Sequence, residues 1–179
     1  IMSSILKVDQ LQDSGGNALI TSDGSGNLTV NAAGLKNTPA FYAYPSGDQT
    51  ITSGTWTKIT LNTELYDTDN AFDSTTNYRF TVPTGKGGKY FFSSNFIIDN
   101  MADGNVVDGR IYINGSAINR TYSRSMVSST GNAVFAPINY VTDLNAGDYV
   151  EHYARHTRGA NRDLLAGYTY FAGYRLIGA

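Results

Sequence analysis

The chain has no cysteine, only two histidines and one tryptophan, and charged residues make up just 16% of its 179 positions. Without cysteine there is no disulfide scaffold and no thiolate metal centre, which suits an intracellular protein or a particle assembled in a cytoplasm. The formal net charge is −2 and no Lys/Arg cluster occurs, so the electrostatic footprint of a nucleic-acid or anionic-membrane partner is missing. No apolar run approaches membrane-spanning length and no signal peptide opens the chain, so neither membrane insertion nor signal-directed secretion is expected. Amphipathic helical periodicity is also lacking, apart from one turn's worth at Asp163-Leu164-Leu165-Ala166.

What the chain has in quantity is strand-forming and turn-forming residues: 13 Tyr, 8 Phe and 19 Gly. With abundant Thr, Val and Ile this composition leans all-β. The length suits one domain with a short appendage and allows a real core. Residues 76–94 organise the reading. Tyr78, Phe80 and Val82 alternate with polar neighbours, Pro83 ends that strand, and Gly85, Gly87 and Gly88 form a turn. Tyr90, Phe92, Ser94, Phe96 and Ile98 then share one face of a second strand.

Around this pair the pattern predicts a strand at Ala40–Tyr44, another over residues 55–61, and a polar loop over 62–74. Asn114-Gly115 is the strongest hairpin signal, with strands before it and over 117–127. Further strands are expected over 133–141, 149–156 and 168–177. Turn signals every 8 to 14 residues and eight or nine strands point to two packed antiparallel sheets. Residues 1–37 stand apart. Ile5, Leu6, Val8, Leu11, Leu19, Ile20, Leu28 and Val30 are too many apolar residues for a solvated tail, yet too few to build a core. They are expected to dock on something: the domain of residues 38–179, two symmetry mates, or a larger assembly.

The chemistry-bearing residues form no catalytic constellation. On a strand His152 and His156 stand about 13 Å apart, too far to share an ion, so they read as surface or interface residues. Glu64, Asp67, Asp69, Asn70 and Asp73 crowd one loop but lack the glycine and terminal glutamate of a helix-loop-helix calcium site; local turns explain them better. Gly85-Lys86-Gly87-Gly88-Lys89 has neither phosphate-loop spacing nor a following helix. No Gly-x-Ser-x-Gly elbow exists. Neither enzyme activity nor a cofactor is expected. The tyrosines outnumber what a core this size hides, and they favour surfaces where one end is buried and the other wet.

Several segments, in order, resemble the globular C1q/TNF family: Ala40-Phe41-Tyr42-Ala43, Trp56-Thr57-Lys58-Ile59, residues 62–67, Tyr78 to Pro83, and Gly88 to Phe92. Ile113-Asn114-Gly115, Leu144 to Val150 and Phe171 to Tyr174 continue the series to residue 179. The turn after Pro83 is longer than usual for that family, and Ser94 replaces a common aromatic. The resemblance implies an antiparallel jelly-roll sandwich that assembles as a homotrimer. Phe41, Trp56, Phe80, Tyr90, Phe92, Tyr168, Tyr170, Phe171 and Tyr174 are then expected in its core or trimer interface. Residues 3–30 resemble leader segments of tailed-bacteriophage structural proteins. Together these imply a non-enzymatic virion protein on the particle surface, made in the host cytoplasm and held by its N-terminal segment to other virion proteins. It would serve as a capsid decoration or short head fibre, or as a tail-fibre tip that contacts a host glycan or receptor. The alternative is a free C1q/TNF-like ligand or adhesin.

Overall fold

The computed structural model describes residues 8–32, 35–134 and 137–177; Ile5 and Leu6 of the expected anchor lie outside them. The N-terminal segment is a meander of β1 (Gln10–Gln12), β2 (Ala18–Ser22) and β3 (Leu28–Val30). Its two turns repeat one device ten residues apart. Asp13 Oδ1 accepts the backbone N–H groups of Gly15 and Asn17, both at 2.9 Å. Asp23 Oδ1 accepts those of Ser25 at 2.7 Å and Asn27 at 3.2 Å. In each case the asparagine side chain also donates back to the aspartate, and that bond is the main cause holding both carboxyls below their ordinary range.

The following chain is almost entirely strand: β4 (Ala40–Tyr44), β5 (Gln49–Ile51), β6 (Thr57–Lys58), β7 (Thr63–Asp67), β8 (Phe72–Asp73) and β9 (Arg79–Thr81) come first. The long pair β10 (Gly88–Asn95) and β11 (Ile97–Met101) follows, then β12 (Val106–Ile113), β13 (Ser116–Ala117) and β14 (Ser123–Met126). The chain closes with β15 (Gly131–Val134), β16 (Ile138–Leu144), β17 (Tyr149–His156), β18 (Arg162–Leu164) and β19 (Tyr170–Arg175). A five-stranded sheet has the order β16-β10-β19-β4-β7. A second layer joins a sheet of order β13-β12-β17-β9-β8, extended by β14 and β6, to one of order β15-β11-β18-β5. The two parts of this layer meet where Gly54 N–H donates to the carbonyl of His156. All pairing among the described residues is antiparallel, and the fold is an antiparallel jelly-roll sandwich.

One core lies between the layers because inward alternation brings large rings together from both. Phe41 of β4 stacks on Phe72 and Phe80 of the second layer at 4.9 Å each, and meets Phe171 edge-on at 5.2 Å. The organising stretch passes through both layers: β10 belongs to the five-stranded sheet and β11 to the second layer. Tyr90, Phe92, Ser94, Phe96 and Ile98 are all buried across that crossing, as their alternation predicts. The Asn114-Gly115 hairpin forms with both residues at positive φ, 51° and 74°.

Several expectations need correction. The 62–74 stretch is not a loop but contains β7 and β8. As the last strand of its sheet β7 leaves Leu65 and Tyr66 exposed, so its sequence lacks the pattern of a buried strand. Tyr78 has φ of 50° and precedes β9, because Asp73 binds the N–H groups of Thr75, Thr76 and Asn77 and curls the chain. Only Thr57 and Lys58 of 55–61 form a strand, and β5 was not foreseen. The 117–127 strand is cut by a 3-10 turn at Asn119–Thr121, where the Thr121 hydroxyl donates to Ile118 O at 2.8 Å. Residues 133–141 divide between β15 and β16, which belong to different sheets. Leu164 ends a strand instead of opening a helical turn, and the 3-10 turn comes later, at Ala166–Tyr168.

Candidate functional site

An aromatic surface lies on the outer face of the five-stranded sheet. On β4 and β19 the odd positions Phe41, Ala43, Phe171 and Gly173 face the core, so Tyr42, Tyr44, Tyr170 and Tyr174 face out. Register then places Tyr66 beside Tyr42, Tyr174 beside Phe91, and Val141 on the far side of Phe91. Tyr42 stacks on Tyr170 at 5.3 Å and 13°, and Phe91 meets Tyr174 at 5.4 Å. Between them runs a shallow groove of about 300 Å³. Burial among its neighbours raises the Tyr42 phenol above its ordinary range. Tyr66 and Val141 remain 46% and 52% exposed at either side. A sheet face this rich in aromatic surface matches the anatomy of a protein interface.

The residues expected in core or interface divide mainly between the core and the outer aromatic face. Phe41, Phe80, Tyr90, Phe92 and Phe171 are fully buried. The Tyr90 hydroxyl donates to Lys86 O at 2.6 Å, and burial pushes its phenol up to about 12. Tyr170 and Tyr174 stand on the outer aromatic face. Tyr168 sits in the 3-10 turn and is 59% exposed, before the strand begins. Trp56 belongs to neither place: it lies half-buried against Tyr112 and Tyr122 on the opposite sheet, because β6 is a two-residue strand that pairs with β17.

The two histidines are core residues, not surface or interface ones. Both point inward from β17, beside Val150 and Ala154. His156 Nε2 lies 3.0 Å from Ile51 O, and its Nδ1 accepts the Arg158 N–H. His152 packs between Phe96 and Phe171 with neither ring nitrogen bonded, and burial pushes its pKa down to about 3. It is held as a neutral ring. Glu64 is exposed, while the three aspartates of residues 64–73 are committed to the fold: Asp67 caps the Phe72 N–H at 2.7 Å, Asp69 pairs with Lys86, and Asp73 holds its turn. Its hydrogen bonds, from the Thr76 N–H first, keep the Asp73 carboxyl well below the usual range. Lys89 pairs with Asp143, which occupies the second lysine of the Gly-rich turn.

The N-terminal meander leaves its apolar residues open. Val8, Leu11 and Leu28 are 56%, 52% and 69% exposed, while Leu19, Ile20 and Val30 are partly covered. Val8, Leu11, Ile20 and Leu28 frame a small cleft of about 200 Å³. Three short strands bury too little to hold this surface from water.

No protein-family model matches the chain, and no curated protein sequence matches it. Solved structures do. The globular domain of a zebrafish complement 1qA protein is 21% identical and covers 77% of this chain and 96% of its own, with a TM-score of 0.53. Murine APRIL at pH 5.0 is 12% identical over 76% of this chain and 98% of its own, at 0.56. A PRD1 vertex protein is 17% identical over 79% of this chain and 99% of its own, also at 0.56.

Proposed function

We propose that this chain is a non-enzymatic structural protein of a virus particle, a homotrimer displayed outside and held by residues 1–37. The outer aromatic face of the five-stranded sheet carries the reading. Three copies packed through Tyr42, Phe91, Tyr170 and Tyr174 bury a surface that one copy leaves wet, in the trimeric arrangement the C1q/TNF resemblance implies. The exposed Val8, Leu11 and Leu28 support the anchor: they are the residues another virion protein would cover. The likeness to a PRD1 vertex protein supports the particle and favours a capsid decoration or short spike over a long tail fibre.

Light scattering on the purified chain tests the assembly; three times the chain mass is expected, and a monomer overturns it. The second reading is a free ligand for a cell-surface receptor, favoured by the likeness to murine APRIL. Particle binding separates the two. Deleting residues 2–37 abolishes it under the first reading, whereas an intact chain that never binds particles supports the second.

A further inference from the structure

The sheet on the opposite side of the sandwich carries an arginine that has no carboxylate partner among the described residues. On the outer face of β12 and β17 and their neighbours, Arg79 lies over the Tyr149 ring at 4.0 Å, and three other cations are held by carboxylates. Arg124 forms a two-point bond to Asp108 at 2.7 and 3.1 Å, and Arg155 lies 3.6 Å from the same carboxylate. Lys58 pairs with Glu151 at 2.9 Å. Among the described residues Arg110 has neither a carboxylate nor a hydrogen-bond partner, and its Nε is enclosed. Its guanidinium is held between two rings, 5.0 Å from the centre of Trp56 and 4.8 Å from that of Tyr122.

The surrounding groups pack against one another. Trp56 meets Tyr112 and Tyr122 edge-on at 6.5 and 6.3 Å. Tyr153 supports Tyr112 at 4.0 Å, and the Tyr122 hydroxyl is tied to Asp108 at 2.9 Å. All of these rings are half-buried or exposed. An immobilised guanidinium lacking a counter-charge is arranged to take a planar two-oxygen anion. Aromatic rings with one face wet suit the apolar C–H face of a sugar ring.

We infer that this face binds an acidic saccharide, with a hexuronate carboxylate on Arg110 and its pyranose ring against Trp56 and Tyr112. Among the described residues this face carries no stripe of uncompensated cations such as a nucleic acid needs, because Arg124, Arg155 and Lys58 are paired with carboxylates. The inference builds on the proposed exterior display, because a trimer closed through the five-stranded sheet turns this face outward. It places glycan recognition on a sheet face instead of the loop tips.

Trp56 is the only tryptophan, so intrinsic fluorescence reports this site directly. Titrating the full chain with oligogalacturonate should give a saturable change that weakens as salt rises, while a neutral malto-oligosaccharide gives none. Arg110→Gln should lower affinity about tenfold or more, and Arg110→Lys, which keeps charge but not the planar fork, should fall between. Unchanged thermal unfolding in both variants shows that the loss is not misfolding. No response to the uronate, an equal response to the neutral sugar or to inorganic phosphate, or full affinity in Arg110→Gln overturns the inference. Light scattering on the same samples keeps the readings apart: a trimer that ignores uronate sinks only this inference, and a monomer that binds it sinks only the assembly.

Discussion

Gly173 lies in the middle of β19, between the registers of Phe92 on β10 and Phe41 on β4. A β-carbon there would meet Phe92 Cδ1 at 2.5 Å and Phe41 Cε1 at 3.0 Å, so glycine is what lets the two rings lean across the strand. Gly173→Ala should therefore cost about 1–3 kcal/mol of overpacking strain, whereas Gly167→Ala, which meets nothing within 4 Å, should cost far less; chemical denaturation of both variants checks the contrast. His152 makes a prediction about pH. The unfolded chain takes up its proton near pH 6.5, the folded chain only near 3. Stability should therefore fall as pH drops through that window, by about 1.4 kcal/mol per unit. His152→Leu should flatten the pH dependence of the unfolding midpoint between pH 6.5 and 4.5. An unchanged slope would place the acid sensitivity elsewhere.

At the scale of elements, β19 matters most. It is the central strand of its sheet, with Phe171 inside and Tyr170 and Tyr174 outside, which is why its sequence is apolar on both faces. Tyr170 stacks on Tyr42 and its hydroxyl lies 3.4 Å from the Ser93 hydroxyl, so it sits at the middle of the aromatic face. Tyr170→Glu puts an unpaired charge in the proposed interface. We expect monomers by light scattering with the near-ultraviolet dichroism of the core retained. Trimers of undiminished stability would argue that the copies meet elsewhere. The loss of Tyr168 from this strand follows from β18: once Arg162–Leu164 pairs with β5, the chain must turn at Ala166–Tyr168 before it can enter β19.

For the whole molecule, the N-terminal meander and the jelly roll are built on different terms. The backbone hydrogen bonds of the meander close within residues 9–35, and its turns are held by their own Asp13 and Asp23. The jelly roll instead rests on one core shared by two layers. Removal of residues 2–37 should accordingly leave a domain whose oligomeric state and unfolding midpoint are those of the full chain, but which no longer attaches to particles in a sedimentation assay. Retained attachment would remove the anchoring role.

Alternation, turn residues and ring content were enough to read an all-β sandwich, the ends of β4 and β17, the Asn114-Gly115 hairpin and the inward face of β10, because each depends on neighbours close in the chain. The sequence could not divide the aromatics between inside and outside. Phe41 and Tyr42 differ in fate only because pairing with β19 and β7 sets which side of the sheet meets the second layer. The same holds for His152, whose burial depends on Phe96 and Phe171 from distant strands, and for Trp56, whose place depends on two residues pairing with β17. Arg110 is the sharpest case. Among the described residues it lacks a carboxylate because Asp108 has been taken by Arg124 and Arg155, a competition between strands that no local pattern records.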